Sequence, residues 1–106
     1  MVTVLVLFPL PTDLSREQLV AHFRKTATHW SEHPQLLHKS YLHDAAGRQG
    51  GATFLWPDRA AAERAHDGAW RAQMVEYYGS EPTVQFFETP LAVFGTDTRG
   101  VIEAAA

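Results

Sequence analysis

The segment between Gly50 and Gly79 restricts the fold of this chain more than any other part of the sequence. A β-prone apolar run, ATFLW, follows the glycine pair and ends at Pro57, and Asp58 is a typical capping residue at the start of a helix. A second capping aspartate follows at Asp67, and Gly79 fits the left-handed residue that ends a helix. The segment therefore predicts a strand, a tight turn and a helical region that restarts once.

The sequence between Ser15 and Pro34 predicts the first helix. Ser15 and Gln18 form a capping box that begins it, and Pro34 ends it after about His33. Two neighbouring stripes at helical spacing follow, one apolar and one polar. The apolar stripe comprises Leu19, Phe23, Ala27 and Trp30, and the polar stripe comprises His22, Thr26, His29 and His33. We expect the first stripe to be buried and the second to form a rim beside it.

Strand-like runs alternate with these helical regions. They cover Val2–Phe8, Leu36–Asp44, Gly51–Trp56 and Thr83–Glu88. The first run is apolar on both alternating faces, which is typical of a central strand. The second run has Leu37, Lys39, Tyr41 and His43 on one face and Leu36, His38, Ser40 and Leu42 on the other. The order β-α-β-β-α-β predicts an α+β fold of the ferredoxin-like type, an antiparallel four-stranded sheet with two helices on one face.

The chain of 106 residues has the length of a single domain. Two helices cover only one face of the sheet, so the apolar residues on the opposite face need a partner. We expect a second copy to pack sheet against sheet, giving a homodimer. The short run Leu91–Gly95 is expected to dock on another chain or on the sheet edge, and 95–106 to form a flexible tail.

Composition and charge exclude several classes of site and partner. The chain has no cysteine, which excludes disulfides, thiolate metal sites and cysteine nucleophiles. A net charge of -3 without a basic cluster argues against nucleic acid as a partner. No apolar run approaches the roughly 20 residues that span a bilayer, and no basic region precedes the first apolar run, so we expect a cytoplasmic protein without a membrane partner. His29 and His33 lack a third metal ligand at a diagnostic spacing, and no flavin motif is present, so we expect no metal and no cofactor.

Three segments resemble a known family. They are LLHKSYLHD from Leu36, GGATFLWPDRAAAERAH from Gly50, and AWRAQMVEYYGSEPTVQFFETPLAVF from Ala69 to Phe94. They are similar to the YdhR-type group, small dimeric α+β barrel proteins described as mono-oxygenases and related to antibiotic biosynthesis mono-oxygenases. The matching positions are Lys39, Gly50, Gly51, Trp56, Asp58, Ala61 and Ala62. The resemblance implies a dimeric α+β barrel more specifically than it implies one reaction.

The wider superfamily carries several chemistries. It includes cofactor-independent quinone-forming mono-oxygenases, haem-degrading enzymes, muconolactone isomerases, polyketide cyclases and stress-responsive proteins. The quinone-forming and haem-degrading branches rely on an asparagine with a tryptophan, and this sequence contains no asparagine. Their catalytic set is therefore not carried over to this chain.

Histidines and aromatic residues are the candidates for a site between helices and sheet. Histidine is the commonest general base, and we expect the base among His22, His29, His38 and His66. Tyr41 or Tyr78 is expected to donate a hydrogen bond to an oxyanion. The predicted substrate-binding residues are Phe23, Trp30, Trp56, Trp70, Met74 and Tyr78. The alternatives are core and interface packing for the aromatic residues, a cation at a helix C-terminus for His66, and a solvated strand residue for Lys39.

Two classes of function fit these residues. The first is a cofactor-independent enzyme in which a histidine removes a proton from an aromatic or polyketide-like substrate. The carbanion then reacts with oxygen, as in a mono-oxygenase, or cyclises or isomerises without oxygen. The second is a non-catalytic dimeric module that binds a small hydrophobic ligand or stabilises a partner. A cavity of several hundred cubic ångströms lined by histidines and aromatic residues favours the enzyme, and a filled interior favours the module.

Overall fold

The computed structural model of the chain describes residues 1–95 and 100–103, and for 101–103 it describes the backbone. The elements are, in chain order, β1 (Val2–Pro9), α1 (Arg16–Ser31), β2 (His38–Asp44), β3 (Gln49–Trp56), α2 (Arg59–Ala65), α3 (Gly68–Tyr78), β4 (Thr83–Glu88), β5 (Leu91–Val93) and β6 (Val101–Glu103). The first four strands form one sheet in the order β2-β3-β1-β4, and each neighbouring pair is antiparallel. This α+β arrangement is compatible with the predicted ferredoxin-like fold.

Strand β1 lies at the centre of the sheet, as its apolar pattern predicts. Its alternate residues Val2, Val4, Val6 and Phe8 are buried in one core cluster with residues from the helices. Burial of each such side chain contributes about 1.5–3 kcal/mol of transfer free energy. The helix-facing side of the sheet therefore holds the core of the domain.

Helix α1 begins with the predicted capping box. The hydroxyl of Ser15 accepts a hydrogen bond from the Gln18 backbone N–H, and the Gln18 side chain accepts one from the Ser15 N–H. These two bonds satisfy backbone donors that an isolated helix start leaves unpaired. The helix ends at Ser31, two residues before the predicted end.

The predicted apolar stripe of α1 is correct at three of its four positions. Leu19 and Trp30 are buried and Phe23 is half-buried, but Ala27 is exposed. Because each residue advances the helix by about 100°, Ala27 lies about 80° from Leu19, whereas Trp30 returns to within about 20°. Ala27 therefore lies beyond the edge of the buried stripe.

The second helical region consists of two helices, each with its predicted cap. The carboxylate of Asp58 accepts a hydrogen bond from the Ala61 N–H at the start of α2, and that of Asp67 accepts one from the Trp70 N–H at the start of α3. Gly79 ends α3 in the left-handed conformation, with a φ of 82°. The two aspartates thus turn one predicted helical region into a pair of helices.

The predicted hairpin joins β2 and β3, with Lys39 opposite Phe54 and Tyr41 opposite Ala52. Strand β2 begins at His38 rather than at Leu36. Directly opposed residues in an antiparallel pair project to the same side of the sheet. Lys39 and Tyr41 therefore lie on the helix-covered face, and His38 lies on the opposite face.

The sheet face opposite the helices is partly covered. Leu5 and Leu7 are half-buried there, and Phe87 is 47% exposed. Strand β5 pairs with β6 of the same chain in a separate two-stranded sheet, so its partner is not the expected sheet edge. Of the predicted tail, 101–103 belong to β6, whereas 96–99 and 104–106 lie outside the described residues.

Candidate functional site

A cavity of about 620 Å³ lies between the helices and the sheet. Its floor comprises Val6, Phe8, Lys39, Tyr41, Ala52 and Phe54; the α1 side contributes His22, Phe23, Lys25, Thr26, His29, Trp30 and His33; and the α3 side includes Asp67, Trp70, Gln73, Met74, Tyr77 and Tyr78. Binding pockets for small molecules typically have about 300–1,000 Å³. The cavity therefore has room for a small polycyclic molecule.

Aromatic rings form much of the cavity lining. The Phe8 and Tyr78 rings stack with centroids 3.8 Å apart. Of the predicted substrate-binding residues, Phe23, Trp30, Trp70, Met74 and Tyr78 line the cavity. The structure does not bring Trp56 to the cavity lining, because its side chain is fully buried in the core.

All four members of the polar stripe on and after α1 border the cavity: His22, Thr26, His29 and His33. His22 is half-buried and stacks on Tyr77 with ring centroids 3.4 Å apart. Burial lowers the pKa of His22, and the charges of Lys25 and Lys39 lower it further. The imidazole of His22 is therefore neutral at pH 7 and able to accept a proton.

His33 resembles His22 in its electrostatics. It is half-buried at the end of the stripe, and burial, together with the nearby charge of His29, lowers its pKa. His29 is exposed on the same rim. Because the two side chains both border the cavity, this end of the cavity carries a pair of imidazoles.

His38 lies away from the cavity, on the other face of the sheet. Its ring is 5.9 Å from that of Phe94, centroid to centroid, and it borders a second pocket, of about 440 Å³, with Leu55 and Val93. The structure therefore separates His38 from the other proposed bases. Alternation along β2 determines this separation.

His66 is buried in the core behind the cavity. Its Nε2 accepts a hydrogen bond from the Trp56 indole N–H at 3.1 Å, which leaves the proton of the neutral ring on Nδ1. Its ring centroid lies 4.5 Å from that of Phe54 and 4.5 Å from that of Trp70. Burial, followed by the charge of Lys39, lowers its pKa to about 4. The interpretation of His66 as a cation at a helix C-terminus is therefore wrong, because its buried ring stays neutral at pH 7.

Lys39 lines the cavity but is not among the predicted site residues. Its ammonium nitrogen lies 4.0, 4.4 and 4.5 Å from the ring centroids of Tyr41, Trp30 and Phe54. In the described part of the chain, no carboxylate forms an ion pair with it. The ring faces favour the cation, but burial opposes it and lowers the pKa of Lys39 to about 7. The interpretation as a solvated strand residue is therefore wrong.

One sequence signal could have identified Lys39. It alternates with Leu37 and Tyr41 on the same predicted strand face, and a lysine between two apolar residues on a covered face is unusual. The depth of the side chain depends on the rings packed around it, two of which come from other elements. Alternation alone does not supply that information.

The hydroxyl of Tyr41 is already engaged. Thr26 donates a hydrogen bond to the Phe23 carbonyl at 2.9 Å, so the 2.6 Å contact between the Thr26 and Tyr41 hydroxyls has Tyr41 as its donor. Burial raises the pKa of Tyr41 and that of Tyr78. Both phenols are therefore protonated at pH 7, and Tyr41 must leave Thr26 before it donates to a ligand.

The chain matches no known family model, and a search of curated proteins finds no similar sequence. Among the described residues, no group of three or more histidine, aspartate or glutamate side chains is arranged to hold a metal ion. None of the helices in that part of the chain combines the length and apolar character needed to cross a bilayer.

Proposed function

We propose that this chain is a small cofactor-independent enzyme that acts on an aromatic or polyketide-like molecule, with mono-oxygenase-like chemistry. The observation that carries the proposal is the cavity of about 620 Å³, whose lining combines aromatic rings with imidazoles. Such a lining holds a planar apolar molecule by contact with its ring faces and excludes water from it.

His22 is the base that the geometry favours. It lines the cavity, stacks on Tyr77 and is neutral at pH 7, whereas His66 is enclosed in the core and His38 lies on the opposite sheet face. A neutral imidazole accepts a proton from an acidic phenol or from a carbon next to a carbonyl. The resulting conjugated carbanion reduces oxygen directly, or it cyclises or isomerises if oxygen is not used.

Anthrone is a suitable probe because a ketone and two aromatic rings acidify its CH₂ group. Its oxidation consumes one O₂ and releases anthraquinone and one water. We expect the protein to accelerate oxygen uptake, and His22→Phe to lower the rate by about 10²-fold or more, because phenylalanine keeps the stacked ring but has no basic nitrogen. The matched control is His43→Phe, since His43 is exposed and does not line the cavity.

The same probe separates the alternatives. Exchange of the anthrone CH₂ hydrogens into D₂O without oxygen uptake would replace the mono-oxygenase with a cyclase or isomerase. Binding of anthrone without exchange or uptake would indicate a non-catalytic ligand-binding module. Unchanged turnover in His22→Phe would refute the assignment of the base.

We also propose that two copies of the chain associate through the sheet face opposite the helices. Phe87 on this face is 47% exposed, and Leu91 and Val93 of β5 are 51% and 68% exposed. Large exposed apolar patches typically mark interaction surfaces. Sedimentation equilibrium should give a dimer that Phe87→Lys weakens, while Thr28→Lys, a control at an exposed position of α1 on the other side of the sheet, leaves it intact. A monomeric wild type at micromolar concentration would refute this association.

A further inference from the structure

The charges around the cavity are opposite in sign to the charge of the whole chain. The chain carries a formal charge of -3. The cavity, in contrast, is lined by three basic side chains, Lys25, Lys39 and Arg64, and by one acidic side chain, Asp67. The Asp67 carboxylate already caps α3 by accepting a hydrogen bond from the Trp70 N–H at 3.0 Å. An anion in the cavity would therefore meet a favourable potential, which low-dielectric walls strengthen.

Lys39 is the most deeply placed basic group of the cavity, and the described residues give it neither a counter-ion nor a hydrogen-bond acceptor. Arg64 donates a hydrogen bond to the Gln35 side chain at 2.9 Å, and Lys25 is exposed to solvent. Three rings surround the Lys39 ammonium, and no described residue accepts a hydrogen bond from it or pairs with it. A partly desolvated cation is unfavourable unless an anion pairs with it. A ligand that brings a negative group to this amine would supply the missing partner.

The lining around the amine determines the shape of such a ligand. Trp30, Tyr41 and Phe54 surround the amine with ring faces, and Phe8 and Tyr78 form a stacked pair elsewhere in the lining. These surfaces are apolar and flat, so they favour an apolar, planar body. The negative group and the flat body must therefore belong to one molecule.

We propose that the cavity binds a planar, apolar organic acid with a single negative charge, and that its anionic oxygen pairs with the Lys39 ammonium. This assignment rests on the proposed function only in that it names the substrate class of the same cavity. Binding of the acid is an equilibrium property and does not require turnover.

Binding of the acid should be accompanied by proton uptake above neutral pH. Burial lowers the pKa of Lys39 to about 7, so at pH 8 most of the empty protein carries a neutral amine there. An anion beside the amine favours its charged form, and the complex takes up a proton. The other titratable groups that face the cavity are His22, Lys25, His29 and His33 on the α1 side, Arg64 on α2, Asp67, Tyr77 and Tyr78 on the α3 side, and Tyr41 on β2.

Several of these neighbours do not take up the proton at pH 8. Burial lowers the pKa values of His22 and His33, so both rings are neutral in the empty protein at pH 8. Burial raises the pKa values of Tyr41 and Tyr78, which stay protonated. Loss of the uptake in Lys39→Met then assigns the proton to Lys39.

The test compares 2-naphthoate with 2-naphthamide, which has nearly the same shape and no charge. Isothermal titration calorimetry at pH 7 should give a Kd for naphthoate at least about tenfold lower than that for naphthamide, which corresponds to about 1.4 kcal/mol. Lys39→Met should abolish this preference, because methionine keeps an unbranched chain without charge. Arg24→Met is the control, since Arg24 is an exposed cation of α1 that does not line the cavity, and it should retain the preference.

Proton uptake provides the second measurement. Titrations with naphthoate at pH 8 in buffers of different ionisation enthalpy should show uptake of about half a proton or more in the wild type and in Arg24→Met, and none in Lys39→Met. Equal affinities of the wild type for naphthoate and naphthamide would overturn the proposal, whatever the variants show. Failure of naphthoate to bind at millimolar concentration, or a preference that survives in Lys39→Met, would also overturn it.

The test of the anion site and the test of the proposed catalysis have separate outcomes. Selective binding of naphthoate by a protein that does not act on anthrone would support the anion site and refute the proposed catalysis. Turnover of anthrone without any preference for naphthoate would support the proposed catalysis and refute the anion site.

Discussion

Protonation of His66 should reduce the free energy of unfolding by about 3 kcal/mol between neutral pH and pH 4. The ring is 3% exposed, and its Nε2 accepts the Trp56 indole N–H at 3.1 Å. Burial is the largest cause that lowers its pKa, from 6.5 to about 4. One pKa unit corresponds to about 1.36 kcal/mol, which gives the expected magnitude.

The direction of the effect follows from the two protonation states. Above pH 6.5 the ring is neutral in both the folded and the unfolded chain, so His66 causes no pH dependence there. As the pH falls from 6.5 towards 4, the unfolded chain binds a proton that the folded protein does not. The free energy of unfolding then decreases by about 1.4 kcal/mol per pH unit from this group. The stabilisation is therefore present above pH 6.5 and is lost in acid.

The assay is urea unfolding of the wild type and of His66→Gln at several pH values between 7 and 4. Glutamine keeps an acceptor for the Trp56 N–H but does not titrate, and the other acidic and imidazole groups affect both proteins alike. The difference in unfolding free energy between the two proteins should change by about 3 kcal/mol over this range. Parallel curves, or an NMR titration of the His66 ring near pH 6.5, would refute the assigned burial.

Three further predictions concern stability. Gly51→Ala should lower the free energy of unfolding, measured in urea, by about 3 kcal/mol or more, because the added Cβ would lie 2.0 Å from the Val6 carbonyl oxygen. The control Gly68→Ala has open space at its Cβ and should be neutral or stabilising. Ser15→Ala should cost about 1 kcal/mol by removing the α1 cap, seen as a lower Tm; an unchanged Tm would contradict the capping contribution. Lys39→Met should raise stability at pH 7 by about 2 kcal/mol, which is less than for a fully enclosed lysine because the amine also faces the cavity. The gain should decrease as the pH rises from 7 and vanish above 10.5, where the amine is neutral in both the folded and the unfolded chain.

Local features of the sequence determined where the elements begin and end. Ser15, Asp58 and Asp67 cap the helices at the predicted places because capping involves the backbone N–H groups of the next few residues. Gly79 ends α3 for a similarly local reason, its left-handed φ. Alternation likewise placed Lys39 and Tyr41 on one strand face. These interactions join residues that are close in sequence, so the sequence alone contains them.

Tertiary structure decided what each side chain meets. His66, a predicted candidate base, accepts its hydrogen bond from Trp56 only because α2 folds back onto β3, and the same packing buries the ring, which lowers its pKa and keeps it neutral. Lys39 reaches the cavity with its pKa lowered because Trp30 and Phe54, from other elements, cover it. Burial and pairing depend on contacts between residues distant in sequence, and a linear pattern does not encode the distance between them. The sequence by itself thus determined the elements and their faces, and the packing of those elements alone determined the cavity and the protonation of its residues.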